Sequence, residues 1–376
     1  MYHATMHRYT GSPVGSTVLA FPAPLAFAIN GRFLGQSVTG VQRYARQVLG
    51  EMDGLLGRQF KRAQLLVPAG VEPSPSLASI ETLNGSRAVG HYWEQVVLPL
   101  QADLPLLNLC NTAPLALRRQ VVCMHDTNVF DAPESYSRSF RTFYRMLLPA
   151  LARRGATITS VSRYSAQRLA CHIGIDPKSV EVLHNGHEHV FNWNAAASTL
   201  GERLTGLRPF VLLLGSRARH KNAAFVLDQA RAFDAMGIDL VVAGGTAQIF
   251  SRIATVDAPN IHYLGFVTDD DLAWLYARAL CLAFPSRSEG FGLPLVEAMA
   301  LGCPIIASNQ SCIPEICGDA ALLEDPDDAA AWQSQVRNLA QSQTLRADLR
   351  GRGLERVKLF SWRASAQGYI DLLARL

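Results

Sequence analysis

Short apolar runs alternate with longer segments of helical periodicity along most of the chain. Before residue 190 the runs are AFAIN, QLLVP, PLLNLCN, VVCMHD, ATITSVS and VEVLHNG. After residue 209 they are FVLLLGS, DLVVAGG, NIHYLGF, CLAFPS, CPIIAS and AALLEDP. Strands that alternate with helices in this way are typical of doubly wound parallel sheets. The pattern therefore predicts an α/β protein with two Rossmann-like parallel-sheet domains.

The alternation is interrupted over Phe191 to Pro209, where the chain is rich in Ala, Ser, Asn and Thr. We interpret this segment as a linker. The predicted organisation is a first domain over residues 1–195, a second domain over 205–358 and a C-terminal helix over 359–376. The chain has 376 residues and 49% hydrophobic content, so each domain is long enough to bury its own core.

Charge is shared unevenly between the two halves. Residues 1–200 hold 18 Lys+Arg against 12 Asp+Glu, and the rest of the chain holds 17 against 19. This modest basic excess has no basic run or interleaved aromatics, so it does not indicate nucleic-acid binding, and anionic lipid is the more natural partner. The seven cysteines are scattered without zinc-finger or redox spacing, which favours reduced thiols and a cytoplasmic location.

The amino end contains an apolar stretch, Ser16 to Ile29, that could be taken for a signal peptide. Pro22 and Pro24 would break the helix that such a peptide needs. No stretch approaches the roughly 20 uninterrupted apolar residues of a membrane span. We therefore expect a protein that stays in the cytoplasm.

The segment SEGFGLPLVEAMALGCP carries two carboxylates, Glu289 and Glu297, eight residues apart. Pro294 suits the first turn of a helix and Gly302 suits the position just past its end, so a helix is predicted from about residue 294 to 301. The free N–H groups and positive dipole end of that helix would favour a phosphate at the turn formed by Gly290, Phe291, Gly292 and Leu293.

The two carboxylates need a different explanation, because acids repel phosphate. We assign Glu297 to neutral hydroxyl groups such as those of a ribose. Glu289, which precedes the turn, is assigned to the sugar or phosphate end of the same ligand.

Candidate ligand groups also follow other predicted strands. Gly215 is followed by Arg217, Arg219 and Lys221, three cations that are costly to gather unless an anion neutralises them. His125 and Asp126 lie at the carboxyl end of a strand, the edge at which open α/β sheets bind ligands.

The sequence resembles the retaining glycosyltransferases of family four, which have the two-domain B-type glycosyltransferase fold. The resemblance rests on EGFGLPLVEAMA, on GCPIIAS and on PEICGDAALLEDPDD. It implies an interdomain cleft and a terminal helix that crosses back onto the first domain. It also implies a nucleotide-diphosphate sugar as donor, held near Gly40 and near the backbone around Val267.

The same resemblance implies particular roles in the cleft. Lys221, with Arg217 or Arg219, would grip the donor diphosphate, and His125 would lie near the anomeric carbon. Asp126 would orient the imidazole or receive an acceptor hydroxyl. The mechanism implied is retaining and free of metal and cofactor, and the departing phosphate oxygen takes the acceptor's proton. In keeping with this, we find no Asp-x-Asp pair between apolar strands, where a metal-dependent transferase would place one.

Members with similar motifs build bacterial exopolysaccharide, lipopolysaccharide and other surface glycans. The expected reaction is therefore transfer of a hexosyl group, preferably mannosyl from GDP-mannose with UDP-glucose as the rival, to a lipid-linked or oligosaccharide acceptor. An epimerase or hydrolase of nucleotide sugars and a non-catalytic nucleotide-sugar binding protein stay open as alternatives. A nicotinamide oxidoreductase ranks last, because neither domain has the G-x-G-x-x-G fingerprint after its first strand.

Residues 136–154, YSRSFRTFYRMLLPALARR, form a basic amphipathic segment. Such a helix could lie on the inner face of an anionic membrane, or it could be a core helix with a solvated basic face. The lipid-linked acceptors of the resembled family favour a peripheral membrane contact.

Overall fold

Two parallel sheets organise the molecule. The computed structural model describes residues 25–57, 62–71, 77–216, 218–244 and 258–376. The strands of the first sheet are β1 Ala26–Asn30, β2 Arg62–Val67, β3 Glu81–Asn84, β4 Leu106–Asn108, β5 Gln120–Cys123, β6 Thr157–Ser160 and β7 Glu181–Val182. Those of the second are β8 Phe210–Leu214, β9 Asp239–Ala243, β10 Ile261–Gly265, β11 Cys281–Phe284, β12 Ile305–Ser308 and β13 Leu322–Glu324.

Strand order places the loops of interest at the centre of each sheet. The first sheet has the order β3-β2-β1-β4-β5-β6-β7 and the second has β10-β9-β8-β11-β12-β13, with every pairing parallel. The order therefore reverses between β1 and β4 and between β8 and β11. Ligands of open α/β sheets bind at such switch points, beyond the carboxyl ends of the strands.

Helices cover both sheets and supply the crossovers. Those of the first domain are Gly40–Leu56, Gly90–Tyr92, Leu98–Gln101, Asn128–Asp131, Arg138–Arg153 and Arg163–Ile173, and a π-helical turn, Trp93–Val97, joins the second to the third. In the second half they are Leu200–Arg203, Ala223–Leu227, Ala230–Asp234, Asp269–Arg278, Leu293–Ala300, Ile313–Cys317, Ala329–Gln341 and Gln343–Arg356. The chain then returns to the first domain through Trp362–Leu373.

The returning helix packs on the first domain with buried hydrogen bonds. The Tyr369 hydroxyl lies 2.7 Å from that of Tyr44 and 3.0 Å from that of Thr159. Trp362 and Tyr369 are fully buried. The predicted fold class, with its terminal helix crossing back, is therefore confirmed.

The observed elements differ from the predicted ones in detail. The predicted strands are present, but β3 was not predicted, because Glu-Thr-Leu-Asn is short and half polar. The predicted linker contains two helical turns, Ala195–Ala197 and Leu200–Arg203. The stretch around Pro22 and Pro24 lies outside the described residues. Within the described ranges no helix is both long enough and apolar enough to cross a bilayer.

Candidate active site

A cavity of about 960 Å³ lies between the two domains, at the carboxyl ends of their central strands. Its lining from the first domain includes Gly40, His125 and Asp126. Its lining from the second domain includes Lys221, Glu289, Gly290, Phe291, Gly292, Leu293 and Glu297. Residues predicted separately from four loops are thus brought to one cleft.

Lys221 and Glu289 form an ion pair in this cleft. The Lys221 ammonium donates to both oxygens of the Glu289 carboxylate, at 2.6 and 2.7 Å. Glu289 is buried, and about one third of the Lys221 side chain is exposed. An ammonium group has three N–H donors, so one remains for a ligand after two have been given to the carboxylate. Glu289 therefore fixes the Lys221 ammonium, which keeps one free donor.

Steric constraints explain why glycines occupy the turn after β11. A Cβ added at Gly290 would overlap the main-chain carbonyl of His125 in the other domain. Gly292 has φ of 85°, which an L side chain adopts only with strain, and it precedes the Leu293–Ala300 helix. In the part of the chain that the structure describes, the amides of Phe291, Gly292 and Leu293 donate to no protein group. The turn therefore points unpaired donors into the cleft.

Glu297 is less free than its assignment to a ribose supposed. One carboxylate oxygen lies 3.1 Å from Nε2 of His189, and the other accepts from the Tyr276 hydroxyl at 3.3 Å. Burial, and next the charge of Glu297, raise the pKa of Tyr276 well above its ordinary value, so the phenol keeps its proton and donates. Each oxygen retains one further acceptor direction for a ligand.

His125 is fixed from behind. Its Nε2 donates to the Leu109 carbonyl at 2.8 Å, and its ring packs edge-on against Tyr44. Its main-chain N–H donates to the Asn111 side chain at 2.6 Å. The imidazole is almost wholly buried, so the neighbouring Asp126, which is half-buried, is the more accessible of the two.

Three predicted residues do not reach the cavity lining. Arg219 is exposed, Gly215 donates its N–H to Ala243 across the sheet, and Val267 packs against the core. Arg217 lies outside the described residues. Of the two predicted cations that the structure describes in this loop, Lys221 lines the cleft and Arg219 does not.

A buried carboxylate on the first-domain side was not predicted. Glu94 is 1% exposed and accepts from Arg32 Nε at 3.1 Å, Asn30 Nδ2 at 2.9 Å and Thr112 Oγ1 at 3.0 Å. Burial raises its pKa, but the bond from His91 and the bonds and charge of these partners lower it more, so the group stays ionised. Arg32 and His91 both line the cavity, and Glu94 contacts both and balances the charge of Arg32.

Two further residues of the cleft, His220 and Arg43, were not predicted either. His220 lies between Arg219 and Lys221 in the sequence, and burial together with the Lys221 charge lowers its pKa, so the ring is neutral at neutral pH. Arg43 spans the domains, because its guanidinium pairs with Asp269 at 2.6 and 2.9 Å. Nothing in the local sequence marks Arg43, since its partner is 226 residues away.

Hydrogen bonds across the cleft hold the two domains together near the turn. The hydroxyls of Ser162 and Ser165 donate to the Gly290 carbonyl at 2.7 and 3.0 Å. Glu315 of the second domain accepts from the first two amides of the Arg163–Ile173 helix, at 2.9 and 3.0 Å. A second-domain side chain thus caps the N-terminus of a first-domain helix.

Family models match both halves of the chain. The model described as glycosyl transferases group 1 matches residues 202–356, and the one described as glycosyltransferase family 4 matches residues 103–189. The second-half match includes Lys221, Glu289, Glu297 and the turn between the two glutamates. The first-half match includes His125 and Asp126.

Two relatives of the chain are named as O-antigen chain mannosyltransferases. The chain is 31% identical over 271 residues to O-antigen chain mannosyltransferase B of Escherichia coli, which covers 66% of this chain and 68% of the relative. It is 29% identical over 236 residues to O-antigen chain mannosyltransferase RfbU of Salmonella typhimurium, which covers 61% of this chain and 63% of that relative.

Solved structures share the fold. A sucrose-phosphate synthase from Thermosynechococcus elongatus matches 94% of this chain and 100% of its own with a TM-score of 0.70 at 19% identity. Anabaena Alr3699/HepE, solved with UDP and glucose, gives the same TM-score and coverage at 18% identity. At these identities the likeness concerns the fold. The family models and the E. coli relative show that the chain belongs to the group 1, family four glycosyltransferases.

Proposed function

We propose that this glycosyltransferase moves a mannosyl group from a nucleotide-diphosphate mannose to a growing cell-surface glycan, with retention of anomeric configuration. The mannosyl group and the surface glycan come from the two O-antigen mannosyltransferase relatives. The observation that carries the proposal is the meeting of Lys221 with the unpaired amides of Phe291 to Leu293 in one interdomain cavity.

The second-domain wall suits a diphosphate leaving group. Lys221 has one ammonium proton left after its two bonds to Glu289. The turn adds backbone donors and the positive end of the Leu293–Ala300 helix. Donors that are fixed before the reaction stabilise charge as it develops on the departing diphosphate, without reorganising.

The acceptor enters from the first-domain wall. Its hydroxyl attacks the anomeric carbon on the face from which the diphosphate leaves. The new C–O bond forms as the bond to phosphate breaks, and the hydroxyl proton passes to the departing phosphate oxygen. Asp126, half-buried at the cleft, is placed to orient that hydroxyl, while His125 supports the loop from behind.

We further propose that the reaction needs no metal or cofactor besides the donor substrate. In the described ranges, no three His, Cys, Asp or Glu side chains are grouped so as to hold a metal ion. Lys221 and the turn amides supply the positive potential that a metal would otherwise provide.

The proposal is tested by incubating the protein with GDP-mannose and UDP-glucose in excess EDTA, with and without a short synthetic mannoside acceptor. We expect release of GDP that depends on acceptor, and an α-linked product by NMR. Release of free sugar would indicate a hydrolase. Loss of activity in EDTA, restored by Mg²⁺ or Mn²⁺, would contradict metal independence.

The first domain has an exposed apolar surface that begins at the rim of the cleft and extends outwards from it. Twelve large apolar side chains are exposed in the described residues, and six of them lie on two neighbouring segments: Val89, Tyr92, Val96, Leu100, Phe140 and Met146. His91 contacts Phe143 and Tyr144 where the segments meet. The inner face of the Arg138–Arg153 helix is buried, so this helix offers mainly its arginines and Met146.

We propose that this apolar and basic surface rests on an anionic bilayer. The 138–154 segment contains several arginines and no acidic residue. Each basic residue near an anionic surface contributes about 1 kcal/mol. Vesicle sedimentation should show binding to phosphatidylglycerol but not to phosphatidylcholine, weakened by Tyr92→Ser or Arg138→Gln and unchanged by Leu354→Ser, an exposed apolar control. Equal sedimentation with both lipids would contradict the proposal.

A further inference from the structure

Glu297 is tied to two other parts of the molecule through one histidine. Nε2 of His189 lies 3.1 Å from the Glu297 carboxylate, and Nδ1 of the same ring accepts from the Trp362 indole at 3.0 Å. His189 and Trp362 are buried. These contacts join a residue of the cavity to the end of the first domain and to the start of the returning helix.

The chemistry of the indole settles which nitrogen of His189 carries the proton. An indole N–H can only donate, so Nδ1 must be the acceptor and the ring proton lies on Nε2. His189 therefore donates to Glu297. An edge contact with Trp193 and a tilted contact with Trp362 hold the plane of the ring, so the direction of this donor is fixed.

His189 lies where the chain passes from one domain to the other. His189 lies in the helical turn Glu188–Asn192, where the chain leaves the first domain. The neighbouring Glu188 accepts from the main-chain N–H of Trp362 at 3.0 Å, where the chain comes back. The two interdomain crossings therefore meet at the histidine that contacts Glu297.

We infer that His189 is the positioning residue that aims Glu297 at the two ribose hydroxyls of the donor nucleotide. His189 and Tyr276 each occupy one direction at each carboxylate oxygen. One acceptor direction remains at each oxygen of the same carboxylate, which matches in number the two adjacent hydroxyls of a ribose. The inference rests on the proposed use of a nucleotide-diphosphate donor.

The inference predicts a preference for ribonucleotides that depends on His189. The test measures calorimetric affinities of the full-length protein for GDP and UDP and for their 2′-deoxy and 3′-deoxy forms. The wild type should prefer the ribonucleotide by roughly tenfold or more, the size expected for a hydrogen bond to a charged acceptor. His189→Phe should lose most of that preference, while His189→Gln, which keeps a donor near the Nε2 position, should retain it.

A matched control separates this role from general damage at the crossing. His187 lies two residues away and contacts the Phe360 carbonyl, and no contact joins it to Glu297 in the described structure. His187→Phe should keep the ribose preference of the wild type. If His189→Phe does not fold, Trp362→Phe serves instead, because it removes the indole donor, frees the ring and should reduce the preference.

The outcomes distinguish the inference from the proposed function. An unchanged preference in His189→Phe, together with a lost preference in Glu297→Gln, would overturn the role of His189 while leaving the donor site intact. Equal binding of ribo and deoxy forms by the wild type would overturn the ribose assignment itself. Failure of the wild type to bind any nucleoside diphosphate would remove the proposed function as well.

Discussion

Each wall of the cleft pairs a cation with a buried glutamate, but the two walls differ in their backbone donors. On the first-domain wall, Arg32 gives its hydrogen bonds to Glu94 and Thr112, at 3.1 and 2.8 Å. On the second-domain wall, Lys221 gives two of its three donors to Glu289, and the turn amides beside it have no protein acceptor in the described structure. The cation of each wall is thus held by a glutamate, and the second wall adds backbone donors that remain for a ligand.

This difference shows how one cavity can receive two unlike substrates. A neutral, hydroxyl-rich acceptor needs a wall whose polar groups are already oriented and whose charge is balanced. A diphosphate needs donors that are still unpaired and a positive potential. Removing the buried carboxylate of the first wall should therefore lower the stability of the protein. Removing a donor of the second wall should lower the rate of sugar transfer.

The largest expected effect is on the first wall. Glu94→Gln would leave the buried Arg32 guanidinium without a counter-charge, and breaking such a pair typically destabilises by about 3–5 kcal/mol. Chemical denaturation should show this loss. A stability within about 0.5 kcal/mol of wild type would mean that the network is not closed as described.

The same carboxylate should give the wild type an acid-sensitive stability. The pKa of Glu94 is lower in the folded protein than its ordinary value of 4.5. Its contribution is therefore present above pH 4.5 and is lost as the pH falls through the folded value. Denaturation curves at stepped pH should show a steeper acid loss in wild type than in Glu94→Gln.

The second wall should respond in the rate. Lys221→Ala removes a charge-stabilising donor and should lower kcat/KM by an amount that corresponds to about 2–4 kcal/mol of transition-state stabilisation. It also leaves the buried Glu289 carboxylate without its partner, so the free energy of unfolding is measured in parallel. Lys178→Ala, at an exposed lysine of the first domain, is the control. A variant that keeps the wild-type rate would remove Lys221 from the mechanism.

His220 should have a smaller effect, which appears in the pH dependence of nucleoside diphosphate binding. Burial and the Lys221 charge keep its pKa below the ordinary 6.5, so the ring is neutral at neutral pH. Protonation would add a cation beside the diphosphate, and affinity for the nucleoside diphosphate should rise as the pH falls below about 6.5. The difference between wild type and His220→Asn isolates this effect, because it cancels titration of the nucleotide. Parallel pH profiles would contradict it.

The smallest effect is expected at Arg219. Its side chain is exposed and does not line the cavity. Arg219→Ala should therefore change the transition-state stabilisation, obtained from the ratio of kcat/KM values, by less than about 0.5 kcal/mol. A loss as large as that of Lys221→Ala would mean that the arginine reaches the diphosphate when the donor binds.

Much of the fold could be predicted because its signal is local. Apolar runs such as FVLLLGS and CLAFPS became β8 and β11. The glycine at position 302 lies just past its helix with φ of 70°, as predicted from the helix-stop pattern. β3 was missed because a half-polar edge strand has no such run.

The candidate site was predictable residue by residue, but its pairings were not. Lys221 and Glu289 were singled out for separate contacts with the ligand, and only folding shows that they bind one another. Glu94 carries no local signal, because a glutamate in a helix is usually solvated. The need for Gly290 arises from the His125 carbonyl of the other domain, which no local pattern contains.

The returning helix has a consequence for biosynthesis. Tyr369 completes the buried cluster around Tyr44 and Thr159, yet about 190 residues separate it from the last strand of the first sheet. At roughly 5–20 residues per second of translation, the first domain waits on the order of 10–40 s on the ribosome before its final helix is made. The half of the molecule that is made first is therefore completed by a helix from the last residues to be made.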